Sequence, residues 1–463
     1  MRPAEPGHGC RGDLVPDEAF YTHRAVIAND PLADALALPA SRGVVVLLGD
    51  SGQPVLIAAT GDCRALTRRK LVPAERGIRA GADLRSIVRE VRAVQCGSAF
   101  EADLVYLLLA RRLMPHAAKL VADRWRSWWA QIDPRAEFPE WSKTDLAVGA
   151  VAPRSASTNK GMVRDAADAS ECIVGPFADK DAAGRFIERM IDAFDLCREH
   201  RLLVLAPRAQ ACAYKEMGRC AAPCDGSETM DAYRKRVADA LHAAATGDGM
   251  LAAVQREEAA MQTAAAAQDF ESAARHRAQS ERLRKLAGPS ASRVCTLRGF
   301  SHLIVWRSPR DGWVRMACCD RGFVRWLADV QMSTRQTRPG EDLVQLCRDA
   351  AAWARHSSFR SMSRDEVDVL GLLARERVGP DTKRTAWFVP LHPGETPAEA
   401  AKAAMRAAAA ALKPRKAPSA RADDPLGGSR PRGEADGDDA PVHEIEAMPG
   451  IESEHSSEQG AQA

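Results

Sequence analysis

Residues 212–226 read CAYKEMGRCAAPCDG, which spaces Cys212, Cys220 and Cys224 as C-x7-C-x3-C. Three thiolates at such spacing can share one metal ion or one iron–sulfur cluster. Tetrahedral zinc and a cubane cluster each take four ligands, and Cys197 is the nearest upstream candidate for the fourth. Zinc sites favour close cysteine pairs, and only one such pair is present, so the irregular spacing suits a cluster better. Lys215 and Arg219 stand beside these cysteines and are expected to lower their thiol pKa values. The competing reading is that the cysteines are small core residues around a Pro-ended turn, since twelve cysteines in one chain cannot all be ligands.

The bulk sequence sets the frame for these residues. A chain of 463 residues implies several domains, and 46% apolar content supplies their cores, with Leu, Val and Ala rather than aromatics doing the filling. No apolar run is long enough to span a bilayer, and the first twenty residues lack an apolar signal-peptide core. A cytoplasmic protein is therefore expected, with reduced thiols and no membrane contact. The net charge of +3 is unevenly spread. From Arg421 onward eleven acidic side chains face three basic ones, a tail of −8 that leaves +11 on residues 1–420. A basic body suits a polyanionic partner, here double-stranded DNA.

Periodicity and turn signals give an α+β multidomain chain. Residues 1–38 read as an arm with a short helix near Asp34–Leu38. Residues 39–116 read as a small α/β domain, in which Val44–Leu48 and Val55–Ala58 flank the turn Asp50-Ser51-Gly52 as a hairpin. ALTRRKLV opens a helix, and Phe100–Leu113 is a strongly apolar one. Residues 117–227 form a mixed connector that carries the cysteines. In it WRSWWAQID is a strand, and Asp179 or Asp181 caps a helix with the apolar face Phe186, Ile187, Met190, Ile191 and Phe194. Residues 228–290 are helical, broken at 246–249. Residues 293–392 return to a small α/β domain with strands at HLIVW, GWVRMACC and TAWFVPL. Residues 393–413 hold an Ala-rich helix capped by Thr396 and Glu399. Residues 414–463 read as a disordered acidic tail.

GRCAAPCDG followed by MDAYRKRVADAL resembles a segment of the UvrC family of bacterial nucleotide-excision repair, as does GPFADKDAAGRFIERMIDAFDLC. Cys197 lies two positions before the family's usual cysteine, where this chain has Glu199. The resemblance implies that Cys197, Cys212, Cys220 and Cys224 bind a 4Fe-4S cluster, with zinc as the alternative. MQTAAAAQDFESAARHRAQSERL resembles the family's UVR motif, a helical hairpin at about 251–286. Met261, Phe270, Glu271, Ala273, Ala274 and Arg277 fall in register. The face made by Met261, Ala265, Phe270, Ala274 and Leu283 is too thin to be stable alone and needs a partner surface. The resemblance implies a UvrB-like helicase subunit, bound through Met261, Phe270, Glu271, Ala274 and Arg277.

In that frame residues 41–115 take the place of the GIY-YIG nuclease. Its chemistry needs tyrosine hydroxyls to position or deprotonate the attacking water, an arginine on the scissile phosphate, and a glutamate that holds one divalent metal. The GIY element stands here as Gly43-Val44-Val45 and the YIG element as Ile57-Ala58-Ala59. Arg68 or Arg69 can stand for the phosphate arginine, with Arg69 taken as the remnant. The helix from Leu104 to Leu113 carries no carboxylate, and Glu101 and Asp103 fall about a turn too early. Losing the tyrosines or the metal ligand alone costs several kcal/mol of barrier. No hydrolysis and no divalent metal are therefore expected at this site. Nine Arg/Lys against four acids from Asp62 to Arg92 leave a surface that can hold DNA through Arg64, Arg68, Arg69 and Lys70. Two alternatives stand beside this reading. One is an active metal-dependent endonuclease using Glu101 or Asp103. The other is an iron–sulfur redox sensor for which DNA is incidental.

Overall fold

The computed structural model describes residues 21–27, 37–71, 84–146, 170–245, 247–287, 293–332, 338–356, 362–380, 382–391, 395–413 and 443–446. They fall into two compact units, which meet in the chain between Ala122 and Asp123.

The first unit is an antiparallel sheet with a helix on each face. Its elements are β1 (His23–Val26), β2 (Gly43–Leu48), β3 (Pro54–Thr60), α1 (Cys63–Leu71), β4 (Glu90–Gln95), α2 (Ala99–Leu113) and α3 (Pro115–Ala122). The β2–β3 hairpin forms where β-branched runs flank Asp50-Ser51-Gly52. Gly52 takes φ 75°, a conformation that costs glycine nothing. Val45, Leu47, Leu56 and Ala58 point to one face and pack with Cys63 and Leu66 of α1. The opposite face of β2 and β3 packs on α2. At Gly43 a Cβ would lie 2.3 Å from the Val94 carbonyl oxygen and 2.7 Å from the Cys63 sulfur, so only glycine fits between β4 and α1.

Three features of this unit depart from the sequence reading. The arm contains β1, which pairs with β4 at the sheet edge. The stretch between the ALTRRKLV helix and Phe100, left without an element above, contains β4, which lies between β1 and β2. The tail expected to be disordered contributes a strand, His443–Glu446, paired antiparallel to β3. The short helix expected near Asp34–Leu38 lies largely outside the described residues.

The second unit holds two four-stranded antiparallel sheets. The first is built from β5 (Trp128–Gln131), β6 (Ser142–Thr144), β7 (Ile173–Phe177) and β8 (Cys295–Thr296). Against it pack α4 (Lys180–Ala193), α5 (Met230–Ala245), α6 (Gly247–Ala266) and α7 (Phe270–Leu286) around a core that includes Ile187, Met190, Tyr233, Val237 and Leu283. Asp179 caps α4, accepting the Ala182 N–H at 2.6 Å. The second sheet has the order β11-β10-β9-β12, from β9 (Ser301–Arg307), β10 (Trp313–Asp320), β11 (Phe323–Gln331) and β12 (Ala386–Pro390). Between β11 and β12 come α8 (Glu341–His356) and α9 (Arg364–Val378), and α10 (Pro397–Leu412) follows β12. The Ala-rich α10, with its Thr396–Glu399 capping box, lays Ala401, Ala404 and Ala408 on this sheet beside α8. β11 is absent from the sequence reading because its charged residues hide its alternation.

Candidate functional site

The cysteine loops begin where α4 ends. Asp195 takes φ 46° and turns the chain, and Cys197 follows with its N–H donated to the Tyr233 hydroxyl at 3.3 Å. Cys212 stands at the N-terminal end of a one-turn helix, Ala213–Glu216. Left-handed Gly218 then leads to Cys220, and left-handed Ala222 opens the turn Pro223–Asp225 that carries Cys224. Ion pairs pin these loops: Lys215 to Asp225 at 2.5 Å, Arg219 to Asp192 at 3.1 Å, and Arg198 to Asp192. Arg198 also lies over the Tyr214 ring, 4.7 Å from its centre.

The four expected cysteines share one neighbourhood. Cys197 and Cys220 are hydrogen bonded through their sulfurs, and Cys224 feels the charges of Cys220 and Cys212. The Cys197 hydrogen bond pulls the Cys220 thiol down to about 6, helped by the Ala222 N–H, 3.4 Å from its sulfur, and by the Arg236 guanidinium. The same bond pushes Cys197 well up, and burial raises Cys224. Arg219 and Lys215, expected to activate the thiols, are instead spent on Asp192 and Asp225. The cation that reaches Cys220 is Arg236, itself paired with Glu228 and donating to the Asp195 carbonyl at 2.8 Å. Arg236 and Tyr233 lie one helical turn apart on α5. The sequence signal that could have found them is their position just after the cysteines on a helix that must face the loops.

An all-thiol donor set, one member of which has its pKa lowered, fits a thiophilic group in chemistry. Among the described residues, however, no three His, Cys, Asp or Glu are gathered as for a single metal ion. The fit is thus to the donor types and not to a closed one-ion geometry.

The nuclease-like frame is the second expected site. β2 and β3 bring its two triplets side by side, Val44 opposite Ala59, Val45 opposite Ala58 and Val46 opposite Ile57. All are buried and apolar. The chain has four tyrosines, and none is on these strands. Tyr106 is fully buried in α2. Tyr21, missed by the sequence reading, sits below Arg92 at 5.3 Å, and burial raises its pKa, which disfavours its ionised form. Glu101 is fully buried, and its carboxylate accepts the Gly97 N–H at 2.7 Å while Ser98 caps the Glu101 N–H at 3.0 Å. Its role is to close the first turn of α2. Arg68 and Arg69 are exposed on the last turn of α1, and Lys70 is half-buried. Arg64 is half-buried and donates to the Leu38 carbonyl at 3.0 Å.

The hairpin of α6 and α7 turns at Gln268, φ 58°, with Asp269 capping α7 through the Ser272 N–H at 3.0 Å. Phe270 is 72% exposed. Glu271, Ala274 and Arg277 are exposed and Met261 is half-buried. Leu283, assigned to the partner face in the sequence, is instead part of the unit's own core.

Residues 151–243 match the family of UvrC/Cho excinuclease middle domains, a span that takes in all four cysteines, Tyr233 and Arg236. Over part of its length the chain is similar to UvrC-type proteins. It is 26% identical over 292 residues to the UvrABC system protein C of Hyphomonas neptunium, covering 62% of this chain and 42% of that protein. It is 35% identical over 115 residues to the UvrABC system protein C of Deinococcus radiodurans, covering 25% of this chain and 18% of that protein. The chain thus spans less than half the length of either. No solved structure matches it. Among the described residues no helix is long and apolar enough to cross a membrane.

Proposed function

We propose that this UvrC-family relative acts in nucleotide-excision repair as a DNA- and partner-binding protein whose nuclease-like unit does not cut. The observation that carries the reading is the paired Gly43-Val44-Val45 and Ile57-Ala58-Ala59 triplets. They sit together, buried and without a hydroxyl, while the nearest helix carboxylate is used as a cap. A frame of this kind can keep phosphate contacts through Arg68, Arg69 and Lys70 after its hydrolytic groups are gone. The α6–α7 hairpin, with Phe270 exposed at its turn, offers a surface for a UvrB-like helicase subunit. Cys197, Cys212, Cys220 and Cys224 would hold a 4Fe-4S cluster. Such a group would tie the loops between α4 and α5 together.

The test is titration of fluorescent duplex DNA at graded salt. Binding is expected to weaken steeply with salt, and R68E/R69E to lose roughly tenfold or more in affinity at low salt. Wild-type protein that ignores duplex DNA at low salt would end this reading. Protein that is coloured as isolated, loses its colour in C220S, and binds neither DNA nor a UvrB-like subunit would favour the redox-sensor alternative.

A further inference from the structure

A cavity of about 290 Å³ opens in the second unit between the start of α4, the end of β7 and the ends of α5, α7 and α9. Its lining divides by chemistry. Phe177 and Phe186 form an aromatic wall, with ring centres 4.8 Å apart and planes tilted by 40°. Ala182, Ala244 and other apolar residues form its floor. Three arginines, Arg185, Arg189 and Arg293, also line it, and no carboxylate does. Arg185 and Arg189 are exposed and a helical turn apart, and neither forms an ion pair with another described residue. Arg293 is held by donation to the Val378 and Gly379 carbonyls at 3.3 and 3.2 Å, which fixes its guanidinium at the end of α9.

We infer that this cavity binds a nucleoside phosphate, with the base against the Phe177–Phe186 wall and the phosphate on Arg185 and Arg189. Guanidinium forks match phosphate oxygens in pairs, and an aromatic wall accepts any base by stacking. The volume lies near the lower end of the range for small-ligand sites, which suits one nucleotide and excludes a duplex. The inference rests on the DNA-binding reading and deepens it: the cavity takes one unpaired nucleotide. The same chemistry would also recognise a free nucleotide.

The experiment uses the full chain and a short single-stranded oligonucleotide with one 2-aminopurine, whose emission falls when it stacks. Quenching is expected to saturate with wild-type protein. It is expected to need roughly tenfold more protein with R185E/R189E, a surface pair whose fold circular dichroism would confirm, and to persist in R68E/R69E. Competition by free dAMP would identify a free nucleotide as the source of the ligand. Quenching that dAMP does not relieve would identify a nucleotide within a strand. Equal quenching by wild type and R185E/R189E overturns the inference. No quenching by wild type, with duplex binding still dependent on Arg68 and Arg69, also overturns it and leaves the DNA-binding reading standing. Loss of duplex binding as well removes both.

Discussion

The Cys220 thiol is pulled down to about 6 because Cys197 donates to it, Ala222 adds an N–H and Arg236 adds a positive charge. In protein stripped of any bound group, alkylation by iodoacetamide should therefore follow an inflection near pH 6. C197A should move that inflection upward. The same pair sets a pH dependence of stability. The folded Cys220 pKa lies below the ordinary thiol value of 9.0, so ionisation favours the fold and stability rises as pH climbs from about 6 to 9. Cys197 is raised above that value, so the unfolded chain ionises it first and stability falls above pH 9. Urea midpoints of the stripped protein should peak near that pH, and a flat profile would count against the sulfur pairing. Spacing in the sequence points to Cys212, Cys220 and Cys224 as a group, while leaving open whether they are ligands or core residues. Arg236 is not legible there, because it lies sixteen residues beyond Cys220 and only the return of α5 beneath the loops brings it close.

Two apolar side chains of the hairpin separate partner binding from folding. Phe270 projects from the turn and Leu283 lies in the core, although a sequence pattern puts both on one stripe. F270A should leave the thermal midpoint unchanged while weakening capture of a UvrB-like subunit roughly tenfold or more. L283A should cost about 2–5 kcal/mol of unfolding free energy. A thermal scan and a pull-down on the two variants read both outcomes. The difference was illegible because α7 shows its apolar residues at helical spacing, and spacing cannot tell a chain's own core from a partner's. Strands show the same limit. The β2–β3 hairpin is legible from β-branched runs around a turn signal. By contrast, β4 reads EVRAVQ, with Glu90 and Arg92 paired on one face at 2.7 Å, and needs β1 and β2 beside it before its alternation means anything. At Gly43, a substitution to Ala should destabilise the first unit by about 1–3 kcal/mol, because backbone and sulfur leave no room for a methyl group.

At the scale of the molecule, charge and frame point the same way. Residues 1–420 carry +11 against a tail of −8, and part of that tail, Glu444 and Glu446 included, lies in the strand paired to β3. On the proposed reading, the first unit's sheet keeps a hairpin and a basic helix end, while Val and Ala stand where the hydroxyls belong and its helix carries Glu101 only as a cap in its first turn. Full-length protein should therefore contact DNA without changing it. The decisive measurement is conversion of supercoiled, ultraviolet-damaged plasmid to nicked circle with Mg2+ or Mn2+ and a UvrB-like subunit present. The account predicts no nicking at protein concentrations that shift the plasmid completely in a gel. Metal-dependent nicking that E101Q or R69A abolishes would contradict it.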